Sequence, residues 1–204
     1  MLNNKFSKGV IFSCIAAIFW GLPQPLFFNE LNHVETIEVV AHRGFWSFIF
    51  LFLLLILISN ISDFIEIFKS RKRISILTIT AFLIAGNWAG FIYSVGQERV
   101  QDASMGYFIT PMISIVLGYF FLNEKITKPK FVSVCLMLSG ILFLFVNLKQ
   151  FPFLIIWIGT SWAIYGLLRK QVNVNPSIGL LYETFIISLI SIPYLVYLFW
   201  QNEN

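Results

Sequence analysis

Long apolar stretches, separated by short polar segments, make up almost the whole chain. Seven of them are each about 20 residues long, the length that an α-helix needs to cross roughly 30 Å of hydrocarbon. They cover 8–28, 36–58, 74–95, 103–122, 130–147, 151–168 and 177–200. In lipid, only helices or closed barrels satisfy all backbone polar groups, and stretches this continuous are typical of helices. We therefore expect an all-α polytopic membrane protein with seven transmembrane helices.

The composition excludes the main soluble classes. Of the 204 residues, 58% are hydrophobic and 12% are charged, whereas a soluble domain carries about 25% charged residues. This balance excludes a soluble enzyme, a disordered chain and a secreted disulfide scaffold. Because the sequence contains no recognisable catalytic or metal-binding spacing, we expect no enzymatic activity, cofactor, metal or nucleic-acid partner. From composition, the expected partner is the lipid bilayer.

Lysine and arginine alternate between successive loops. Eleven lie on the side of the N-terminus: Lys5, Lys8, Lys69, Arg71, Lys72, Arg73, Lys125, Lys128, Lys130, Arg169 and Lys170. Two, Arg99 and Lys149, lie in the opposite loops. Cytoplasmic loops carry the excess of positive charge, so we predict a cytoplasmic N-terminus. Seven crossings then place Asn204 outside.

The loop after the second span carries apolar residues at helical spacing, namely Ile61, Phe64, Ile65 and Phe68. This pattern predicts a short amphipathic helix on the cytoplasmic leaflet. Simple anchoring is the favoured interpretation, and a specific lipid-binding role is the alternative.

An internal repeat is visible on self-comparison. Residues 18–22 match 163–167 at an offset of 145, and residues 37–47 align with 178–188 at an offset of 141. One unit is therefore five spans, which gives a first repeat over 1–148 and the start of a second over 149–204. Because five is odd, the second unit enters the membrane from the opposite side. Inverted pairs of this kind support alternating access, with the substrate between the halves.

Several blocks carry a family resemblance: residues 42–47 (HRGFWS), 86–96 (GNWAGFIYSVG), 103–125, 163–170 (AIYGLLRK) and 179–185 (GLLYETF). The chain resembles the RarD-type branch of the EamA family, in the drug/metabolite transporter superfamily. The subfamily carries a chloramphenicol-related name.

The resemblance implies a carrier of a small metabolite or drug in the bacterial inner membrane, with ten helices in two inverted five-helix repeats. The expected partners of such a carrier are the small solute and a proton or another coupling ion. This chain matches about the first seven of the ten helices, so it holds one complete repeat and the first two helices of the second. A homodimer or a separate partner would then supply the missing half. The alternative is a truncated, non-transporting remnant of such a carrier.

Two charged residues lie inside predicted spans, where charges usually face a cavity or the protein interior. Arg43 is about seven residues into the second span and Glu183 about seven into the seventh, so each is roughly 10 Å deep from opposite faces. We predict that Arg43 attracts an anionic group and that Glu183 takes a cation or proton. The alternative is local satisfaction, of Arg43 by Glu38 or a backbone carbonyl and of Glu183 by Tyr182 or water.

Further candidates for the substrate path are His42, Asn87, Trp88, Tyr107 and Tyr165. His42 is either a proton-coupling group or a hydrogen-bonding packing residue. The aromatic side chains either line the path, together with Trp20 and Trp162, or face lipid.

Glycine and proline add expectations about helix geometry. The spacing of Gly86 and Gly90 favours close helix packing. Pro23, Pro25 and Pro111 predict hinges or static kinks within the spans.

Overall fold

The computed structural model describes residues 4–58, 61–146 and 152–202, and this part of the chain is all-helical. Its nine helices are α1 (Asn4–Gly21), α2 (Pro23–Glu30), α3 (Thr36–Ile58), α4 (Ile61–Ile67), α5 (Arg71–Gly96), α6 (Val100–Leu122), α7 (Lys128–Val146), α8 (Phe153–Lys170) and α9 (Pro176–Asn202).

Five described segments are long and apolar enough to cross a membrane: Ser7–Glu30, Thr36–Leu57, Arg71–Gly96, Val100–Leu122 and Pro176–Gln201. A polytopic all-α membrane protein is thereby confirmed. The predicted spans 130–147 and 151–168 correspond to α7 and α8, which are not among the five, so the seven-helix arrangement stays a prediction. Lys149 and Asn204, on which the predicted topology partly depends, lie outside the described residues.

The first apolar segment contains two helices rather than the continuous helix predicted over 8–28. Helix α1 ends at Gly21 and α2 begins at Pro23, with Leu22 between them. Proline lacks the N–H that would continue the upstream helix, but it fits the first turn of a new one. The break therefore falls at Pro23, with Pro25 in the first turn of α2. Pro111 lies inside α6, which continues through it.

Helix α5 lies at the centre of the bundle and packs against α2, α3, α6, α8 and α9. Its buried positions recur every three or four residues along its length: Leu77, Thr80, Ala81, Ile84, Asn87, Trp88, Gly90, Phe91, Ile92, Ser94 and Val95. The other main contacts pair α6 with α8 and α3 with α9. The two helices after residue 152 therefore pack directly on helices of the first part of the chain.

Glycines bring α8 close to α5 and α6. A Cβ at Gly86 or Gly90 would meet the Trp157 ring, whose Nε1 donates to the Gly86 carbonyl at 2.9 Å. The predicted packing role of these two glycines is thus confirmed. At the α6–α8 crossing, a Cβ at Gly159 would lie 2.7 Å from the Gly106 carbonyl oxygen. Small residues allow such backbone approach in membrane proteins.

The helix predicted after the second span is present as α4. Phe64 lies against α9, with its ring centroid 6.5 Å from that of Tyr182 and 6.2 Å from that of Phe185. Ile65 and Phe68 remain exposed. The apolar face is therefore divided between α9 and the surface, and its position on a lipid leaflet stays a prediction.

The crossing of α6 and α8 gives a stability prediction. Gly159→Ala should lower the free energy of unfolding by about 1–3 kcal/mol, because the new methyl overlaps the Ile109 side chain and the Gly106 backbone. Gly166→Ala, on the same helix, is the matched control, since a Cβ there meets nothing within 4 Å. Denaturant unfolding in detergent measures both, and an equal effect of the two substitutions would contradict the close crossing.

Candidate functional site

Arg43 lies on α3 and faces aromatic rings rather than a carboxylate. Its Cζ lies 4.2 Å from the ring centroid of Trp88 and 5.5 Å from that of Phe28. The Nη1 atom is buried and has no hydrogen-bond partner among the described residues. A cation over aromatic faces is attracted by the ring quadrupole. Within the described ranges, this guanidinium has no hydrogen bond or ion pair with Glu38 or a backbone carbonyl, and its observed partners are the two rings.

Asn87, which precedes Trp88 on α5, forms hydrogen bonds to two other helices, α6 and α8. Its Nδ2 donates to the Ile158 carbonyl at 2.9 Å and to Ser161 Oγ at 3.0 Å, both on α8. Its Oδ1 accepts from the Tyr107 hydroxyl of α6 at 2.9 Å. The side chain is buried, and every polar atom of the amide is paired. Asn87 is therefore a cross-link between α5, α6 and α8.

Five rings in sequential contact lead away from Arg43, and we call them the aromatic track: Phe28, Phe91, Tyr107, Trp162 and Tyr165. Successive ring centroids lie 6.0, 6.1, 6.4 and 5.1 Å apart. Trp20, at the end of α1, adds contacts to Phe91 at 5.8 Å and to Tyr107 at 4.5 Å. The track therefore runs through α2, α5, α6 and α8.

Glu183 of α9 lies at the far end of the track and is fully buried. Thr80 Oγ1 donates to its Oε1 at 2.6 Å, and the Tyr165 hydroxyl donates to its Oε2 at 3.1 Å. Arg169 Nε lies 3.7 Å from Oε1. A buried carboxylate needs both a countercharge and hydrogen-bond donors, and Glu183 has them from α5 and α8. The predicted alternative partner, Tyr182, instead has its hydroxyl 3.2 Å from Thr78 Oγ1.

The structure brings most of the sequence-predicted site residues together. Arg43 and Trp88 meet at one end, Tyr107 lies in the middle bonded to Asn87, and Tyr165 meets Glu183 at the other end. His42 is not part of this arrangement: its side chain is exposed on α3. The helix rotates by about 100° per residue, so the neighbour of an inward-facing arginine points elsewhere. In the described part of the chain, no group of three His, Cys, Asp or Glu is placed to hold a metal ion.

Sequence reasoning missed Thr80 and the inward role of Arg169. In the sequence, Arg169 served only as a loop cation for predicting the topology. In the structure its side chain is 13% exposed and is paired with Glu183. The predicted burial of Glu183 was itself a signal, because a buried acid requires a cationic or hydroxyl partner. The single sequence does not say which arginine or which threonine that partner is.

The comparisons with known proteins decide the family. The model of the EamA-like transporter family matches residues 7–146. The chain belongs to this family. It is 33% identical to an uncharacterized transporter of Vibrio cholerae over 94% of this chain and 63% of that protein. It is also 33% identical to Protein RarD of Escherichia coli, over 87% of this chain and 60% of the relative. The predicted RarD-type EamA membership is confirmed.

A more distant relative is the Chloramphenicol-sensitive protein RarD of Pseudomonas aeruginosa, 23% identical over 97% of this chain and 66% of that protein. The chain spans about three fifths of the length of the first curated relatives that it matches. No solved structure matches. Together with the apolar helices, the family membership identifies a multi-pass protein of the bacterial inner membrane.

The Asn87 cross-link gives a second stability prediction. Asn87→Ala removes three interhelical hydrogen bonds and should lower the free energy of unfolding by about 1–2 kcal/mol. Tyr107→Phe removes one of the three and should cost less. Ser104→Ala is the control, since this exposed hydroxyl bonds within α6 to the Val100 carbonyl. Unfolding in detergent measures all three, and Asn87→Ala matching the control would refute the cross-link.

Proposed function

We propose that this chain forms a secondary carrier that moves a small metabolite or drug across the inner membrane by alternating access. The observation that carries the proposal is the aromatic track, which links two charged side chains within predicted spans. Charges inside a membrane are costly and mark solute or ion paths. Family membership supports the same class of function.

The proposed carrier consists of a first repeat over 1–148 and the start of a second over 149–204. The track crosses between the two proposed repeats, because Phe28, Phe91 and Tyr107 precede residue 148 whereas Trp162 and Tyr165 follow it. The Arg43 end is formed by the first repeat, and the Glu183 end depends on both. A solute on this track would lie between the halves, where inverted-repeat carriers bind their substrates.

The side chains indicate the chemistry of the solute. Aromatic faces favour flat or apolar groups, and the free Nη1 of Arg43 favours a carboxylate or another anionic acceptor. Glu183 is the proposed site for a coupling proton or cation. The name of one relative refers to chloramphenicol, an aromatic compound that belongs in any panel of test solutes.

Transport by the purified chain in vesicles tests this proposal. Uptake and export of a panel of aromatic acids, amino acids and chloramphenicol should be measured with and without a proton gradient. Arg43→Gln and Glu183→Gln should each lower the rate about tenfold, equivalent to about 1.4 kcal/mol in the barrier. Arg43→Lys should recover part of the rate, because it keeps the charge but loses the planar stacking.

Arg73→Gln is the matched control, because Arg73 is a surface residue with a 4.0 Å contact to Glu66. Elution volume and thermal unfolding show whether each variant is folded. Folded Arg43 and Glu183 variants that transport at the wild-type rate would exclude a role for these charges. A wild-type chain that responds to no solute and no gradient would favour the non-transporting alternative.

The inverted arrangement also predicts a topology. Reporter fusions should place the segment around Arg71 in the cytoplasm and a fusion after Asn204 outside, because eleven of the thirteen loop cations would otherwise lie on the wrong side. Paired cytoplasmic and periplasmic reporters give complementary signals at each position. A cytoplasmic position for Asn204 would mean an even number of crossings and would remove the inverted pair.

A further inference from the structure

Arg169 binds across the first two turns of α9 from the last turn of α8. Its Nη2 donates to the Pro176 carbonyl at 3.3 Å, and its Nε lies 3.7 Å from Glu183 Oε1. Between these contacts the guanidinium rests against Gly179, where a Cβ would collide with Nη1. Positions 176, 179 and 183 share one face of a helix. Gly179 is therefore the place on α9 where an arginine can lie flat.

This arginine and Tyr165 join two helices that otherwise pack elsewhere. Helix α8 packs on α5 and α6, whereas α9 packs on α3 and α5. Polar contacts connect α8 to α9. Arg169 forms a hydrogen bond to Pro176 and an ion pair with Glu183, and Tyr165 forms a hydrogen bond to Glu183. The seam between α8 and α9 is thus closed at this end by polar contacts, which an ionic ligand can exchange.

A surface depression of about 490 Å³ opens at this seam. Its lining includes Leu51 of α3, Tyr165, Arg169 and Lys170 of α8, and Pro176 and Ser177 of α9. The charged residues of this lining are both cations. Each cation has one acidic partner: Lys170 Nζ lies 3.1 Å from Glu124 Oε1, and Arg169 Nε lies 3.7 Å from Glu183 Oε1, which is the longer of the two pairs.

Arg169 has donors to spare. A guanidinium carries five N–H groups, and Nη1 has no hydrogen-bond partner within the described residues. Glu183 does not depend on Arg169 alone, because the Thr80 and Tyr165 hydroxyls both donate to it. Moving the guanidinium toward the depression would leave the carboxylate with these two hydrogen bonds but without its cation, a penalty that the contact of the bound anion with Arg169 has to offset.

We propose that the depression at the α8–α9 seam binds an anionic group, a carboxylate or phosphate, through Arg169, and that this anion competes with Glu183 for the guanidinium. Binding would exchange the contacts across the seam for contacts to the ligand. The use of this step in transport rests on the proposed function, whereas the binding itself does not.

Binding to the purified chain in nanodiscs tests the proposal without any gradient. Benzoate and inorganic phosphate are titrated by calorimetry into phosphatidylcholine nanodiscs. Arg169→Gln removes the contact to the anion and should weaken binding about tenfold or more. This is the change in affinity that corresponds to losing one charge-assisted hydrogen bond. Glu183→Gln should tighten binding several-fold, because it removes the competing charge. Its amide oxygen can still accept from one of the Thr80 and Tyr165 hydroxyls, and its NH₂ group can donate to the other. Arg73→Gln is the control and should bind as the wild type does.

A second arm separates a free solute from a lipid headgroup. If the anion is a lipid phosphate, the wild type should unfold at a higher temperature in phosphatidylglycerol than in phosphatidylcholine nanodiscs, and Arg169→Gln should lose that gain. Dependence on Arg169 in either arm supports the anion site. The arm that shows it tells whether the anion is a free solute or a lipid headgroup.

Equal responses of the wild type and Arg169→Gln in both arms would overturn the proposal. So would weaker binding by Glu183→Gln, since that would make the pair a joint binding unit rather than competitors. If Arg169→Gln does not fold, the direction of the Glu183→Gln effect decides. Transport that fails while anion binding persists would count against the proposed function and leave this site in place.

Discussion

The bundle depends on close helix contact at α5, because apolar side chains gain little by leaving lipid for a helix interface. Association in a bilayer comes from packing and interhelical hydrogen bonds, and α5 supplies both. Gly86 and Gly90 admit the Trp157 ring, and Asn87 between them bonds to Ile158 and Ser161 of α8. One turn of α5 thus combines backbone approach with a satisfied polar cross-link, and the helices of the second part of the chain are positioned against it.

The same helix separates the two charged ends of the site. Trp88 faces Arg43 on one side, and Thr80, two turns earlier, donates to Glu183. The two charges are stabilised in different ways, Arg43 by aromatic faces and Glu183 by hydroxyl donors and a cation. This asymmetry follows from chemistry, since a planar delocalised cation can stack on a ring whereas a carboxylate requires donors. It makes the two ends suited to different ligands.

The sequence predicted the helical class and the family, and both are confirmed, because they depend on hydropathy and on long matching blocks. It named Tyr107, Trp162 and Tyr165 of the aromatic track as candidates, but not Phe28 or Phe91, since phenylalanine is too frequent in this chain for one of them to stand out. It did not predict the break at Leu22 as the end of one helix and the start of another, since proline predicts a kink without fixing its extent. The direction of His42 and the pairing of Arg169 with Glu183 depend on helix rotation and on contacts between distant segments, which one sequence does not contain.

The break at Leu22 lies just after the residue through which α1 contacts the aromatic track, Trp20. Almost all of α1 faces away from the bundle, yet its last turn carries Trp20 onto Phe91 and Tyr107. Rotation about the Leu22 joint would slide an indole across both rings and alter how much of the track is covered. Through these two ring contacts of Trp20, a change in the tilt of α1 would reach the aromatic track.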